Sequence, residues 1–141
     1  MNYKKFLIAS TLFALGSGIT TPYLIIRINE IVGIAYLGIA MVITIVSQSI
    51  SSIFIGKYAL KRINAIIYAQ IIFSGVIFLF SLSLSFYEII LIQVAIGIVT
   101  AVQIVCSPVL IAEITEKENL GKRYGYFHSL QQIAVGVAMI I

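Results

Sequence analysis

Five long stretches without a charged side chain make up most of this chain: residues 6–26, 31–55, 63–86, 89–112 and 124–141. About 20 helical residues cross the hydrocarbon core of a bilayer. The stretches have that length or come close to it. Lipid offers the backbone no hydrogen-bond partners, so a segment that crosses it must pair its own N–H and C=O groups. Membrane strands are shorter and alternate in polarity, which these stretches do not. The pattern predicts an all-α, polytopic helix bundle with five spans in a single transmembrane domain, residues 1–141.

Composition excludes the main alternative. Hydrophobic residues are 61% of the chain and charged residues 10%, against about 25% charged in a soluble domain. A water-soluble fold of 141 residues could not cover so much apolar surface.

The charges orient the chain. If every stretch crosses once, Lys4, Lys5, Lys57, Lys61, Arg62, Lys117, Lys122 and Arg123 fall on one side, and Arg27 alone on the other. Cytoplasmic loops retain Lys and Arg, so the N-terminus is expected in the cytoplasm. A cleaved signal peptide would have a core of about 7–15 residues and no further spans, so the first stretch reads as a true span. The formal charge of +4 sits in short loops beside apolar spans. That placement suits anionic lipid and gives no basic face for nucleic acid.

The inventory is poor for catalysis. The chain has no Asp, no Trp, one His and one Cys. An intramembrane enzyme would need a Ser–His, paired-acid or metal constellation, and His128 has no evident partner for one. No enzyme activity, cofactor or metal is expected. Cys106 lies off the polar face of its helix and reads as a spectator.

Polar residues within the spans mark the faces of interest. In the fourth, Gln93, Gly97, Thr100, Gln103 and Ser107 fall within an arc of about 120°. Such a stripe serves helix–helix packing or lines a polar cavity that meets a solute. In the first, Ser10, Ala14, Ser17 and Thr21 form a small-residue seam, with Thr20 and Pro22 beside it; Pro22 frees a backbone carbonyl and favours a bend. In the fifth, Tyr124, His128 and Gln131 share a face. His128 is the one side chain in the spans that titrates near neutrality, and it reads as interfacial or as a proton carrier. The second span ends in Ser47, Gln48, Ser49, Ser51 and Ser52. The five acidic residues, Glu30, Glu88, Glu113, Glu116 and Glu118, all lie at span edges or loops.

Three segments resemble the N-terminal part of the major facilitator superfamily. After the second span that family carries Gly-x-Leu-Ala-Asp-Arg-x-Gly-Arg; here Gly56, Ala59 and the charge of Lys61 match, while Leu60 replaces the Asp and Ile63 the second Gly. In the fourth span the family's Arg-x-x-Gln-Gly reads Gln93-Val94-Ala95-Ile96-Gly97, which keeps the Gly, and Pro108 with Ala112-Glu113 resembles its Pro…Ala-Glu ending. At the entry to the fifth, Gly121-Lys122-Arg123-Tyr124-Gly125 is similar to a basic Gly-flanked motif.

The resemblance implies a secondary transporter that moves a small solute by alternating access, two halves rocking about a midplane site. It implies that Thr20, Thr21, Gln93, Thr100, Gln103, His128 and Gln131 are candidates for the substrate pathway, and Gly56, Lys57, Lys61 and Arg62 for an inner-loop gate. Five helices supply part of a six-helix half, so a longer parent, or a partner membrane subunit bringing the remainder, is expected. The expected setting is the bilayer of the cell membrane. The competing readings are a small oligomeric multi-span transporter and a non-transporting membrane subunit. Small multidrug pumps need a carboxylate in the first span, and residues 6–26 carry none.

Overall fold

The computed structural model describes residues 3–57, 62–82 and 85–140, with Arg62 described by its backbone alone. Helices account for nearly all of them: α1 (Tyr3–Val32), α2 (Leu37–Lys57), α3 (Arg62–Leu82), α4 (Phe86–Glu113) and α5 (Leu120–Ala138). One-turn 3₁₀ segments, Ile34–Tyr36 and Lys117–Asn119, precede α2 and α5. Among the described residues there is no strand. Among the described residues, four helices are long and apolar enough to cross a membrane. α5 is not among them; its first turn holds Lys122 and Arg123, and its middle holds His128, Gln131 and Gln132.

Two connections are built differently from the sequence expectation. The charges at residues 27–30 predict the first connection there, yet α1 runs on to Val32. Nothing in Arg27–Glu30 breaks a helix. Arg27 Nη1 instead donates to Glu30 Oε2 at 3.3 Å, an i,i+3 pair on the helix surface. Such a pair suits helical geometry. The break falls at Gly33, whose φ of +82° costs a residue without a Cβ little. The second difference is at α4, where Tyr87 and Glu88 were expected to form the turn. Ser85 N–H donates to Glu88 Oε2 at 3.1 Å, and Glu88 N–H to Ser85 Oγ at 3.4 Å. This reciprocal capping box starts the helix at Phe86. Pro22 and Pro108 both lie inside continuous helix.

The chain divides into two compact units. Unit 1 joins residues 1–24 to 108–141, and unit 2 is residues 25–107.

In unit 1, the start of α1 packs along α5. Phe6 stacks on Phe127 with ring centroids 5.5 Å apart. Twelve residues further along α1, a Cβ on Gly18 would lie 2.7 Å from Ala138 Cβ and 2.8 Å from the Val135 carbonyl oxygen. Only glycine permits that approach. Residue numbers rise together on the two helices, so they are parallel.

In unit 2, α2 and α4 are also parallel: Thr44 meets Gln93 and Gln48 meets Thr100. α3 and α4 are antiparallel, since residues 65–72 share a groove with 95–102, and Leu79 and Leu82 share another with Leu91 and Ile92. Helices that each cross once give this pattern, with helices two or four apart in order parallel and sequential ones opposed.

The outward surfaces are apolar. On α1, Ile8, Leu12, Ile19 and Ile26 are all more than half exposed and recur at steps of four and seven, a single helix face. α3 repeats this with Ile71, Phe78 and Leu82. In water such faces would drive aggregation; against acyl chains they carry no cost.

Candidate functional site

The polar stripe of α4 separates into two parts. The first is committed to α2. Gln93 is 6% exposed, and its Oε1 accepts a hydrogen bond from the Thr44 hydroxyl. One turn on, Gly97 lets the α2 backbone close in: a Cβ there would stand 2.6 Å from the Thr44 carbonyl oxygen and 2.7 Å from Ser47 Cβ. Thr100 Oγ1 donates to its own helix at the Ile96 carbonyl, 2.7 Å away, with Gln48 Oε1 of α2 as the alternative acceptor at 3.4 Å. Small residues and interhelical hydrogen bonds are how helices associate where lipid removes the hydrophobic drive.

The second part is not committed in this way. Ser107, 4% exposed, approaches Gln103 Oε1 at 3.4 Å. The other end of that amide, Nε2, is buried and has no hydrogen-bond acceptor. A buried donor left unpaired costs about 1–3 kcal/mol, and a donor in that condition favours whatever brings it an acceptor. Gln103 is therefore the member of the stripe with binding capacity to spare.

On α1 the hydroxyls turn back onto their own helix. Thr20 Oγ1 reaches the Gly16 and Ser17 carbonyls at 3.2 and 2.9 Å, and Thr21 Oγ1 reaches Ser17 O at 2.8 Å. This is the usual way a hydroxyl is satisfied within a helix. Ser10, 2% exposed, is the exception, with its Oγ buried and unpartnered. On α5, Gln131 is half-buried and His128 exposed. Phe127, Ala134 and Ala138 are buried, which puts Gln131 on their side of the helix.

The gate candidates are less complete. Gly56 and Lys57 are exposed at the end of α2. Arg62 opens α3, and Lys61 lies outside the described residues.

A contact that the sequence pattern did not single out closes the basic end of unit 1. Tyr3 Oη donates to the Arg123 carbonyl at 2.6 Å, and the Arg123 guanidinium lies over the Tyr3 ring, 5.0 Å from its centroid. Arg123 Nη1 also donates to the Ile114 carbonyl at 3.3 Å, just beyond the end of α4. One cation thereby satisfies a helix-terminal carbonyl and caps an aromatic face. Thr44 and Gln48, four apart on an apolar helix, were the available signal for the α2 seam. Nothing in the local sequence marks Tyr3 as a partner of Arg123.

These helices match the family model of the Major Facilitator Superfamily over residues 6–141. The chain belongs to the major facilitator superfamily. No curated protein and no solved structure matches it alongside that family. Facilitators are multi-pass integral membrane transporters, and the four membrane-length helices of this one accord with that membership. Among its described residues no group of His, Cys, Asp and Glu is placed to hold a metal ion.

Proposed function

We propose that this facilitator carries a small solute across the cell membrane by alternating access. Its five helices form part of one half of the transporter, and further helices, from the same polypeptide or a partner subunit, complete the cavity. The N-terminus faces the cytoplasm. Gln103 of α4 contacts the solute and gives its amide N–H to an acceptor on it. Thr20, Thr21, His128 and Gln131 are further candidates for the pathway, and Gly56, Lys57, Lys61 and Arg62 for the inner gate.

The observation that carries this reading is the division of the α4 stripe. Gln93 is occupied by α2 and Thr100 by its own helix with Gln48 beside it, whereas the Gln103 amide has a buried donor and no acceptor. A residue needed only for packing has its capacity filled by packing.

The test is a thermal-shift screen of small solutes on the purified protein. A solute that binds the folded state raises its stability, by about 2.7 kcal/mol at 100 times its Kd. A stabilising solute should lose its effect on Gln103→Leu and keep it on Gln93→Leu. Equal stabilisation of both variants would remove Gln103 from the pathway. Reporter fusions at Arg27 and Lys61 check the orientation: the Lys61 fusion should report a cytoplasmic position and the Arg27 fusion an external one.

A further inference from the structure

The geometry points to Ser107 as the residue that decides which solutes Gln103 takes: uncharged ones that bring a carbonyl or ether oxygen. This rests on Gln103 lying in the pathway, and adds the class of solute and a second residue. A side-chain amide has two N–H donors at one end and an oxygen acceptor at the other. The end on offer is the one that nothing else holds. Ser107, one turn beyond Gln103 and 4% exposed, donates its hydroxyl proton to Gln103 Oε1 at 3.4 Å. Nε2 is left buried with no acceptor. Reversing the amide would take from the Ser107 hydroxyl the acceptor of that bond. So long as Ser107 holds the oxygen, the unmet capacity is of donor type. The terminal torsion of Gln is broad, and a small rotation turns Nε2 to an arriving oxygen.

The surroundings disfavour an ion. Ile96, Val99, Cys106 and Ser107 lie within two turns of Gln103 on its own face and are all 7% exposed or less. Gln103 itself is half-buried, so it is the member of this group that a solute can reach. Along α4 the carboxylates stand far off, Glu88 about 22 Å before Gln103 and Glu113 about 15 Å after it. Gln48 and Thr100 bring α2 alongside. Its cation, Lys57, is exposed at the helix end, about 9 Å beyond the level of Gln103. α3, whose Arg62 is described by its backbone alone, packs against the side of α4 bearing Ala95, Ile98 and Val102, about a quarter turn from Gln103. A charged group at Gln103 would give up its hydration and gain one neutral donor. An uncharged carbonyl gives up far less for the same bond.

Small rings of one size test both halves: cyclopentanone (an uncharged acceptor), pyrrole (an uncharged donor), cyclopentanecarboxylate and cyclopentylammonium. Each is titrated onto the isotope-labelled chain in detergent. NMR follows the side-chain amide N–H signal of Gln103, assigned by its loss in Gln103→Leu. Cyclopentanone should move that signal downfield, with an apparent affinity about fivefold or more above pyrrole, the worth of one hydrogen bond. The two ions should bind about tenfold or more weakly than cyclopentanone. Ser107→Ala frees Oε1 and should bring the cyclopentanone-to-pyrrole ratio to about one. Ser107→Thr, which keeps a hydroxyl, should preserve it. If no probe moves the signal, Gln103 is not in the pathway and the inference falls with it. If pyrrole or either ion moves it as well as cyclopentanone does, Gln103 stays in the pathway and the class of solute is overturned. A ratio unchanged by Ser107→Ala overturns the role of Ser107.

Discussion

Two seams hold these helices together, and they solve the same problem with different chemistry. Both join parallel helices, and both close around one glycine whose place no larger residue could take, Gly18 in unit 1 and Gly97 in unit 2. The α1–α5 seam is otherwise aromatic and aliphatic, with the Phe6–Phe127 stack and buried Ala14, Ala134 and Ala138. Its hydrogen bond, Tyr3 to Arg123, sits at one extremity. The α2–α4 seam has polar rungs on either side of its glycine, Thr44–Gln93 and Gln48–Thr100. In lipid, backbone proximity is the shared requirement, and polar rungs add register. A small-residue face can slide by a turn, whereas a Thr–Gln rung fits one alignment.

The comparison ranks a series of substitutions. Gly97→Leu should cost most, about 3 kcal/mol or more, because the new side chain meets the α2 backbone at both Thr44 and Gln48. The melting temperature in detergent reads this directly, and a melting curve like that of the unmutated protein would mean the seam is not closed in solution. Gly18→Ala comes next, at about 1–2 kcal/mol. Pairing it with Ala138→Gly should recover part of the loss, since one of its two nearest contacts is the Ala138 methyl and the other is the Val135 carbonyl. Full recovery would show that the α5 backbone yields. Gln93→Leu should cost about 0.6–1.7 kcal/mol, the range for hydrogen bonds between membrane helices. Thr44 keeps a fallback in the Ala40 carbonyl at 3.2 Å, which places the loss toward the lower figure. Tyr3→Phe should cost least, about 0.5–1 kcal/mol, as the ring stays under Arg123. If Tyr3→Phe proved worse than Gln93→Leu, the terminal clamp would outrank the mid-membrane rungs and the contrast between the seams would reverse.

The spans were legible because length and absence of charge are the physical requirements of a bilayer crossing, and both can be read from residue order alone. The capping box at Ser85 and Glu88 was equally legible, since its residues are three apart, yet an acidic residue after a Tyr read more readily as a turn. The continuation of α1 past Arg27 was harder. A charge marks a span's end by its cost in lipid, whereas an i,i+3 ion pair lets the helix go on. The stripe on α4 could be drawn from 100° steps, but its division could not. That depended on which residues of α2 lie opposite, a matter of packing between positions about 50 apart in sequence. Small residues at 10, 14 and 17 announced a close seam on α1. Gly18 proved to be where α5 comes closest, because a methyl group there would occupy the space of Val135 and Ala138.

The parallel pairing of α1 with α5 also sets an order of events during synthesis. Gly18 must wait for residues near 135 and 138, about 120 positions later, which at 5–20 residues per second takes roughly 6–24 s. The α2–α4 rungs span about 50 positions and can form in less than half that time. α1, made before the other four helices described here, is thus among the last of them to find its partner. Until then its glycine face lacks α5, and that interval is when a chaperone or a wrong neighbour has access to it.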